Sequence, residues 1–271
     1  MGVSTGDRQE RVLRVADGTP LPLDQCPMAM TLQQKRPIGG MEAVCERPDG
    51  SRVALIPYPT PLFDESGALI GAVNIVVDIS ERKRAEEVYA FTDRLYRAHG
   101  PEEIHQAALD AITRGLGCSR AAILLFDTAG VMRFVAWRGL SNSYRSAVEG
   151  HSPWARDVKD PAPICIADVE TADLPEPLKA TVKAERIGAL AFFPVVANGA
   201  LIGKFMTYHD AAHVLSETDV NLALTIARQL GFGLERMRAE QSGRLLASII
   251  ANSDDAIVLP ASTRLRMPRR P

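Results

Sequence analysis

The chain is poor in cysteine, and its few cysteines form no pattern that builds chemistry. Cys26, Cys45, Cys118 and Cys165 are the four it has. None forms a C-x-x-C pair, and they fall on separate expected elements. That spacing argues against a disulfide framework and a zinc site, and each reads as a small buried thiol. An excess of one charge is lacking too. The net charge is −2 and the isoelectric point about 6.2, which gives no general field for nucleic acid or an anionic membrane. No basic segment followed by an apolar core opens the chain, so no signal peptide is read. The longest apolar region, 187–203, is broken by Pro194 and by Asn198-Gly199. It falls short of the roughly 20 consecutive apolar residues of a spanning helix. The expectation is a soluble, cytoplasmic protein. At 271 residues with 46% hydrophobic content, the chain suits two domains, or one and a half plus linkers.

What is present is a mechanical connection. Residues 67–87, GALIGAVNIVVDISERKRAEE, begin as an apolar run suited to a buried strand. They stop at Asp78-Ile79-Ser80 and continue as a charged, helix-favouring run. Upstream the sequence predicts a meander. Strands at 42–47 and 52–56 flank the turn Pro48-Asp49-Gly50, where glycine supplies positive φ. A last strand at 68–77, apolar on both faces, follows the turn Asp64-Glu65-Ser66-Gly67. Residues 1–23 are polar and weakly patterned, and a short helix at 24–34 takes Pro27 in its first turn. Pro57, Pro59 and Pro61 read as an edge or an irregular exit. From Glu81 the period changes. Ala85, Val88, Tyr89, Thr92, Leu95 and Tyr96 recur at steps of three and four, the seam of a coiled coil or an amphipathic helix. Gly100-Pro101 interrupts it. The next helix carries Ile104, Ala108, Ala111 and Ile112 on one face and stops near Gly115 and Gly117.

A second alternation occupies residues 119–209. Strands are predicted at 120–126, 131–137, 163–167, 189–197 and 200–209, with helices at 144–148 and 174–185. Asn198-Gly199 is the strongest hairpin signal in the chain. Ser216-x-x-Asp219 caps a long final helix. On it Val220, Leu224, Ala227, Leu230, Gly231, Leu234 and Met237 form one stripe, and Leu222, Ile226 and Gly233 add a second apolar side. One face can pack on a sheet while another meets a partner helix. Residues 259–271 hold four arginines, three prolines and no acid, and are expected to be a disordered basic tail.

Arg47-Pro48-Asp49-Gly50, the strand bearing Gly67 and Gly71, and Asp78-Ile79-Ser80-Glu81-Arg82 resemble the C-terminal part of a PAS sensor domain. In that family such an ending closes the last strand and starts the signalling helix. The family's first strands are not evident here, so the domain reads as incomplete. Residues 88–240 resemble a GAF domain of the kind found inside bacterial sensor histidine kinases. The first helix, Gly150-His151-Ser152-Pro153-Trp154, the run from Ile187 to Pro194, the Asn198-Gly199 hairpin and the final helix carry the likeness. Residues 243–258 look like the opening of another PAS domain, and the chain reads as truncated or frame-shifted after Val258. The resemblance implies an α+β fold: an incomplete PAS-like antiparallel sheet, then a GAF domain with an antiparallel sheet flanked by helices, joined by long signalling helices. Its divisions are 1–83 partial PAS/PAC, 84–100 helical linker, 101–240 GAF, 241–258 second PAS start and 259–271 tail.

The implied function is the input region of a two-component sensor: a non-catalytic module that senses a small ligand or redox state and transmits through dimeric helices. Kinase chemistry needs a phosphoacceptor histidine and ATP-holding boxes. His105 is followed by Gln and Ala rather than an acid. The glycines at 115 and 117 read as a helix stop and those at 231 and 233 as helix-packing positions, not phosphate cradles. No cysteine precedes a histidine as in bilin-binding GAF domains, and the cyclic-nucleotide pattern of that family is not found. The cofactor is left unknown and no metal site is expected. Phe126, Trp137, Trp154, Phe193 and Met206 would surround the sheet face that GAF domains use as a pocket, although plain core accounts for them as well. His151 is the best-placed histidine for a pocket, and a solvated loop histidine is the plainer reading. The expected partners are a second copy and a small-molecule ligand, with no nucleic acid and no membrane. The alternative is a GAF-fold thiol enzyme, such as a free methionine sulfoxide reductase, acting through Cys118 and Cys165.

Overall fold

The computed structural model describes residues 12–15, 19–46 and 52–251. In chain order the elements are β1 (Val12–Val15), α1 (Pro27–Gln34), β2 (Ala43–Glu46), β3 (Arg52–Phe63), β4 (Leu69–Asp78) and α2 (Ser80–Arg97). Then come α3 (Pro101–Gly115), β5 (Arg120–Phe126), β6 (Met132–Arg138), α4 (Asn142–Val148), β7 (Ile164–Ile166), α5 (Glu176–Ala184), β8 (Ala189–Ala197), β9 (Ala200–His209) and α6 (Glu217–Ala251). The strands form two antiparallel sheets, β1-β2-β3-β4 and β6-β5-β9-β8-β7. The Pro48-Asp49-Gly50 turn, the basic tail and the end of the second PAS-like opening lie outside the described residues.

The first sheet departs from expectation in three places. β1 pairs with β2 from Val12↔Glu46 to Val15↔Ala43, inside a region read as unpatterned. Four residues are too few for a period to show. β3 runs straight through Pro57, Pro59 and Pro61 to Phe63, past the strand end expected at Ile56, and of the two readings, an edge or an irregular exit, it is the edge. The reason is parity. β2 stops pairing at Leu55, so beyond it β3 has only β4 beside it. The Pro59 carbonyl points the other way and accepts from the Ile38 N–H at 3.3 Å and the Thr31 hydroxyl at 3.4 Å. A strand residue directs its N–H and C=O to the same side, so the missing proline donors take nothing from the β3–β4 ladder. β4 was expected to be buried on both faces, yet Ile70 and Ile75 are each 65% exposed.

Asp78-Ile79-Ser80 makes the strand-to-helix joint. The Asp78 carboxylate accepts the Ser80 N–H at 2.8 Å, and the Ser80 hydroxyl accepts the Ala54 N–H at 3.1 Å. The Ile79 N–H meets the Ala54 carbonyl at 2.9 Å, and the Ile79 side chain is buried. Glu42 then holds Arg82 at 2.7 Å and Lys83 at 2.6 Å. Exposed pairs of that kind contribute little. The exit direction of α2 is set by the backbone bonds and by Ile79.

The α2 seam is helical throughout, but it splits between two faces. Phe91 and Leu95 are buried against α3 and α6, with Val88 packed beside them, whereas Ala85, Tyr89, Thr92 and Tyr96 face outward. Arg236 on α6 donates to the Leu95 carbonyl at 2.6 Å and the Tyr96 carbonyl at 3.3 Å, closing the end of α2. Thus of the expected seam Val88 and Leu95 are committed within the subunit, together with Phe91, which the seam did not include, and the other four residues stay free. Phe91→Ala is expected to lower stability by about 3–4 kcal/mol. A lower urea midpoint at unchanged slope would register it.

In the second sheet the central strands are buried on both faces. Ala121, Ile123, Leu125, Phe193, Val195 and Phe205 turn to α2, α3 and α6. Ala122, Leu124, Leu190, Phe192, Met206 and Tyr208 turn to α4 and α5. The β8–β9 turn places Asn198 at φ 50° and Gly199 at φ 74°, the left-handed pair that a two-residue hairpin of this hand requires. α6 starts with a reciprocal cap: the Ser216 hydroxyl accepts the Asp219 N–H at 3.2 Å, and the Ser216 N–H reaches the Asp219 carboxylate at 3.1 Å. Ser216→Ala should cost about 1 kcal/mol, measurable by thermal denaturation.

Candidate functional site

The sheet face turned away from α6 is roofed by α4, by α5 and by the segment 149–163 between α4 and β7. α4 ends at Val148, and Gly150 takes φ +83° with its N–H on the Met132 carbonyl at 2.9 Å. That bend lays His151 and Trp154 over the sheet. Beneath them is a cavity lined by Leu124, Phe134, Tyr144, Leu178, Phe192, Lys204 and Met206, among others. Its enclosed free space is about 20 Å³, room for about one water.

The expected site residues do not all meet there. Met206 forms the wall, 4% exposed, and His151 sits at the rim. Trp154 meets Phe192 edge-on, ring centroids 6.5 Å apart, and packs on that core without lining the cavity itself. Phe126 packs at the border of the same core beneath Arg156 and does not line the cavity. Trp137 lies outside it, 41% exposed and covered by the Arg145 guanidinium at 3.7 Å. Phe193 is on the wrong face. It stacks on Phe205 at 4.9 Å in the core against the helices. Side chains alternate across a strand, so its neighbour Phe192 faces the cavity instead.

Lys204 was missed. It is only 2% exposed, and its Nζ donates to the His151 carbonyl at 2.8 Å and lies 5.0 Å from the centre of the Phe192 ring. Burial pulls its pKa from 10.5 down to about 8, with no neighbouring charge contributing. A signal was available: the alternation that puts Met206 and Tyr208 on this face puts Lys204 there too. Burial, and then the Lys204 charge, also hold His151 below the ordinary histidine range. Tyr144 and Tyr208 meet edge-to-face at 5.9 Å. Burial pushes the Tyr144 phenol up to about 12 and raises Tyr208 well above the ordinary tyrosine range. At neutral pH the site therefore holds one cation and neutral polar groups.

The thiols form no site. Of the four thiols expected to be buried only Cys118 is, and its pKa is pushed up to about 12; Cys26 and Cys45 are half-buried, and Cys165 is exposed, with partial desolvation raising its pKa. They stand at β5 and on β7, with β9 and β8 between, which at strand spacing is roughly 14 Å. His105 is a core histidine on α3, its Nε2 without a partner among the described residues. Among those residues no helix is long and apolar enough to cross a membrane, and no cluster of three or more His, Cys, Asp or Glu could hold a metal ion.

A five-stranded antiparallel sheet with terminal helices on one face and a roofed cavity on the other is the arrangement that the sequence resemblance implied. Residues 98–235, just over half of the chain, match the family described as GAF domain. The chain belongs to the GAF family. GAF domains are sensory and regulatory modules. Among solved structures the chain is similar to a domain assigned by its name to a two-component sensor histidine kinase protein from Sinorhizobium meliloti 1021, at 52% identity over 54% of this chain and 99% of that one, with TM-score 0.52. It also matches the GAF domain of a protein assigned by its name to the sensor histidine kinases, from Pseudomonas syringae pv. tomato (16% identity, 64% of this chain, 96% of that one, TM-score 0.44). A third match is the blue-light absorbing form of the PixJ GAF domain from Thermosynechococcus elongatus (16% identity, 65% and 97%, TM-score 0.46). No curated protein matches the chain.

Proposed function

We propose that the chain is the input region of a two-component-type sensor, with the first sheet a partial PAS domain at 1–83, a helical linker at 84–100 and the GAF domain at 101–240. It binds a small ligand in the cavity beneath His151 and Trp154, acts without catalysis of its own, and transmits as a homodimer through α2 and α6. One observation carries the reading: β8 and β9 are shared between the two sides. Phe192 and Met206 wall the cavity while Phe193 and Phe205, each one residue away, pack into the core against α6. A ligand that shifts these strands shifts the seat of α6 with them. The required coupling is modest, of order 1–3 kcal/mol.

The outward residues of the seam supply the pairing surface. Tyr89 and Tyr96 are 77% and 78% exposed, and Phe232 on α6 is 69% exposed. Arg236 bridges them, its guanidinium 5.7 Å from the Tyr96 ring and on the same groove as Phe232. Exposed aromatics on helices mark surfaces that become covered. The full chain at tens of micromolar is expected to run as a dimer in light scattering, and Tyr89→Glu combined with Tyr96→Glu as a monomer. A wild-type protein that stays monomeric removes the transmission mechanism. Mass spectrometry of small molecules released from the purified protein tests the ligand half.

A further inference from the structure

We propose that the GAF cavity selects a compact monocarboxylate with an apolar body, its carboxylate seated on Lys204 Nζ. The inference rests on the sensory reading of this cavity and adds the chemical class of the ligand. A buried ammonium ordinarily pairs with an acid or extends its head to water. Lys204 does neither. Among the described residues its Nζ makes one hydrogen bond, to the neutral His151 carbonyl, and no carboxylate lies within ion-pair distance. An ammonium has three donors, and one uncharged acceptor leaves its charge uncompensated. The Phe192 ring backs the same charge at 5.0 Å, an arrangement that favours a retained cation.

The rest of the lining decides what is attached to the anion. Leu124, Phe134, Leu178 and Met206 present hydrocarbon and thioether, and the Tyr144 hydroxyl is hydrogen-bonded to Tyr208. The charge of the ligand is limited as well. His151 is held neutral and no second basic side chain lines the cavity, so a dianion such as phosphate would leave one charge buried and uncompensated. With about 20 Å³ free, the ligand enters only if the roof yields. The carboxylate takes the place of the His151 carbonyl on Nζ. That exchange releases the His151–Trp154 segment from the sheet and gives binding a mechanical consequence.

Calorimetric titration of the full chain with four probes tests this: benzoate, hexanoate, and their neutral isosteres benzamide and hexanamide, with inorganic phosphate as a fifth arm. The wild type should prefer each acid over its amide by at least tenfold. Lys204→Met should reduce that preference to under twofold, and Lys204→Arg should retain part of it. Acids and amides binding alike, an unchanged preference in Lys204→Met, or phosphate binding more tightly than the acids would each overturn the proposal while leaving a ligand-binding cavity. Failure of all the organic probes to bind would overturn it together with the ligand half of the sensory reading.

Discussion

Gly231→Val is expected to lower the stability of the protein by about 3 kcal/mol, the upper range for overpacking a well-filled core. A Cβ at this position would stand 2.3 Å from the Val196 carbonyl oxygen and 3.2 Å from its carbon. Both are backbone atoms of β8, so no side chain can rotate away. The sheet or α6 must shift. In an exposed helix, glycine to alanine gains about 1 kcal/mol of propensity. At Gly243, further along α6, a Cβ meets nothing within 4 Å, and Gly243→Ala should show that gain. Gly231→Ala should instead be destabilising, because the contact outweighs the propensity. Urea denaturation of the three variants reads both signs. If Gly231→Ala and Gly243→Ala behave alike, α6 does not sit this close to β8. Gly233 makes a milder version of the same approach, 3.3 Å from a Leu95 methyl on α2. The Gly-Phe-Gly stretch thus seats α6 on the sheet and on α2 while leaving Phe232 outside.

Lys204→Met is expected to make the protein more stable near neutral pH by about 2 kcal/mol. The folded state releases the Lys204 proton at about 8, the unfolded chain at the ordinary 10.5. Below pH 8 both states carry the proton and the fold bears the whole cost of burying it. Between 8 and 10.5 the unfolded state binds more protons, so the wild type gains stability as pH rises. The separation corresponds to about 3 kcal/mol. Loss of the hydrogen bond to His151 offsets about 1 kcal/mol of it in the variant. The advantage of the variant should therefore be largest at pH 7 and shrink toward pH 10.5. Tyr144 and Tyr208 are held neutral by burial and ionise above their ordinary range in both proteins, so they cancel in the difference. A variant less stable than the wild type at pH 7, or a difference flat with pH, would show that the ammonium is better compensated than its surroundings indicate. A cation that destabilises its own fold is a reason to look for a ligand that neutralises it.

The features written in neighbouring residues were legible without coordinates. Ser216-x-x-Asp219 closes its reciprocal cap, and Asn198-Gly199 turns the β8–β9 hairpin with both residues at positive φ. Asp78-Ile79-Ser80 ends a strand and begins a helix, and the three- and four-residue steps from Ala85 to Tyr96 produce helix. These depend on backbone torsions and on contacts within a few residues, which the chain specifies by itself. The antiparallel sheet of the GAF domain was what the family resemblance implied, with the Asn198-Gly199 hairpin the pairing most plainly written in the residues.

Other decisions required the assembled layers. Whether three prolines break β3 depended on which side of that strand carried a neighbour, a fact set by where β2 stops. Which residues of the α2 seam stayed free depended on α3 and α6 taking Leu95 along with Phe91. Phe192 rather than Phe193 reached the cavity because strand parity is absolute only once the sheet is placed between two cores, and the chain shows apolar residues at both positions. Lys204 belonged to the cavity by that same parity, but its burial without an acid could be known only when every element covering it was in position. The sequence alone determined the local turns, caps, periods and the family. Tertiary structure alone decided which faces are covered and which charge is left uncompensated, because burial is a property of distant segments brought together and not of the residues that are buried.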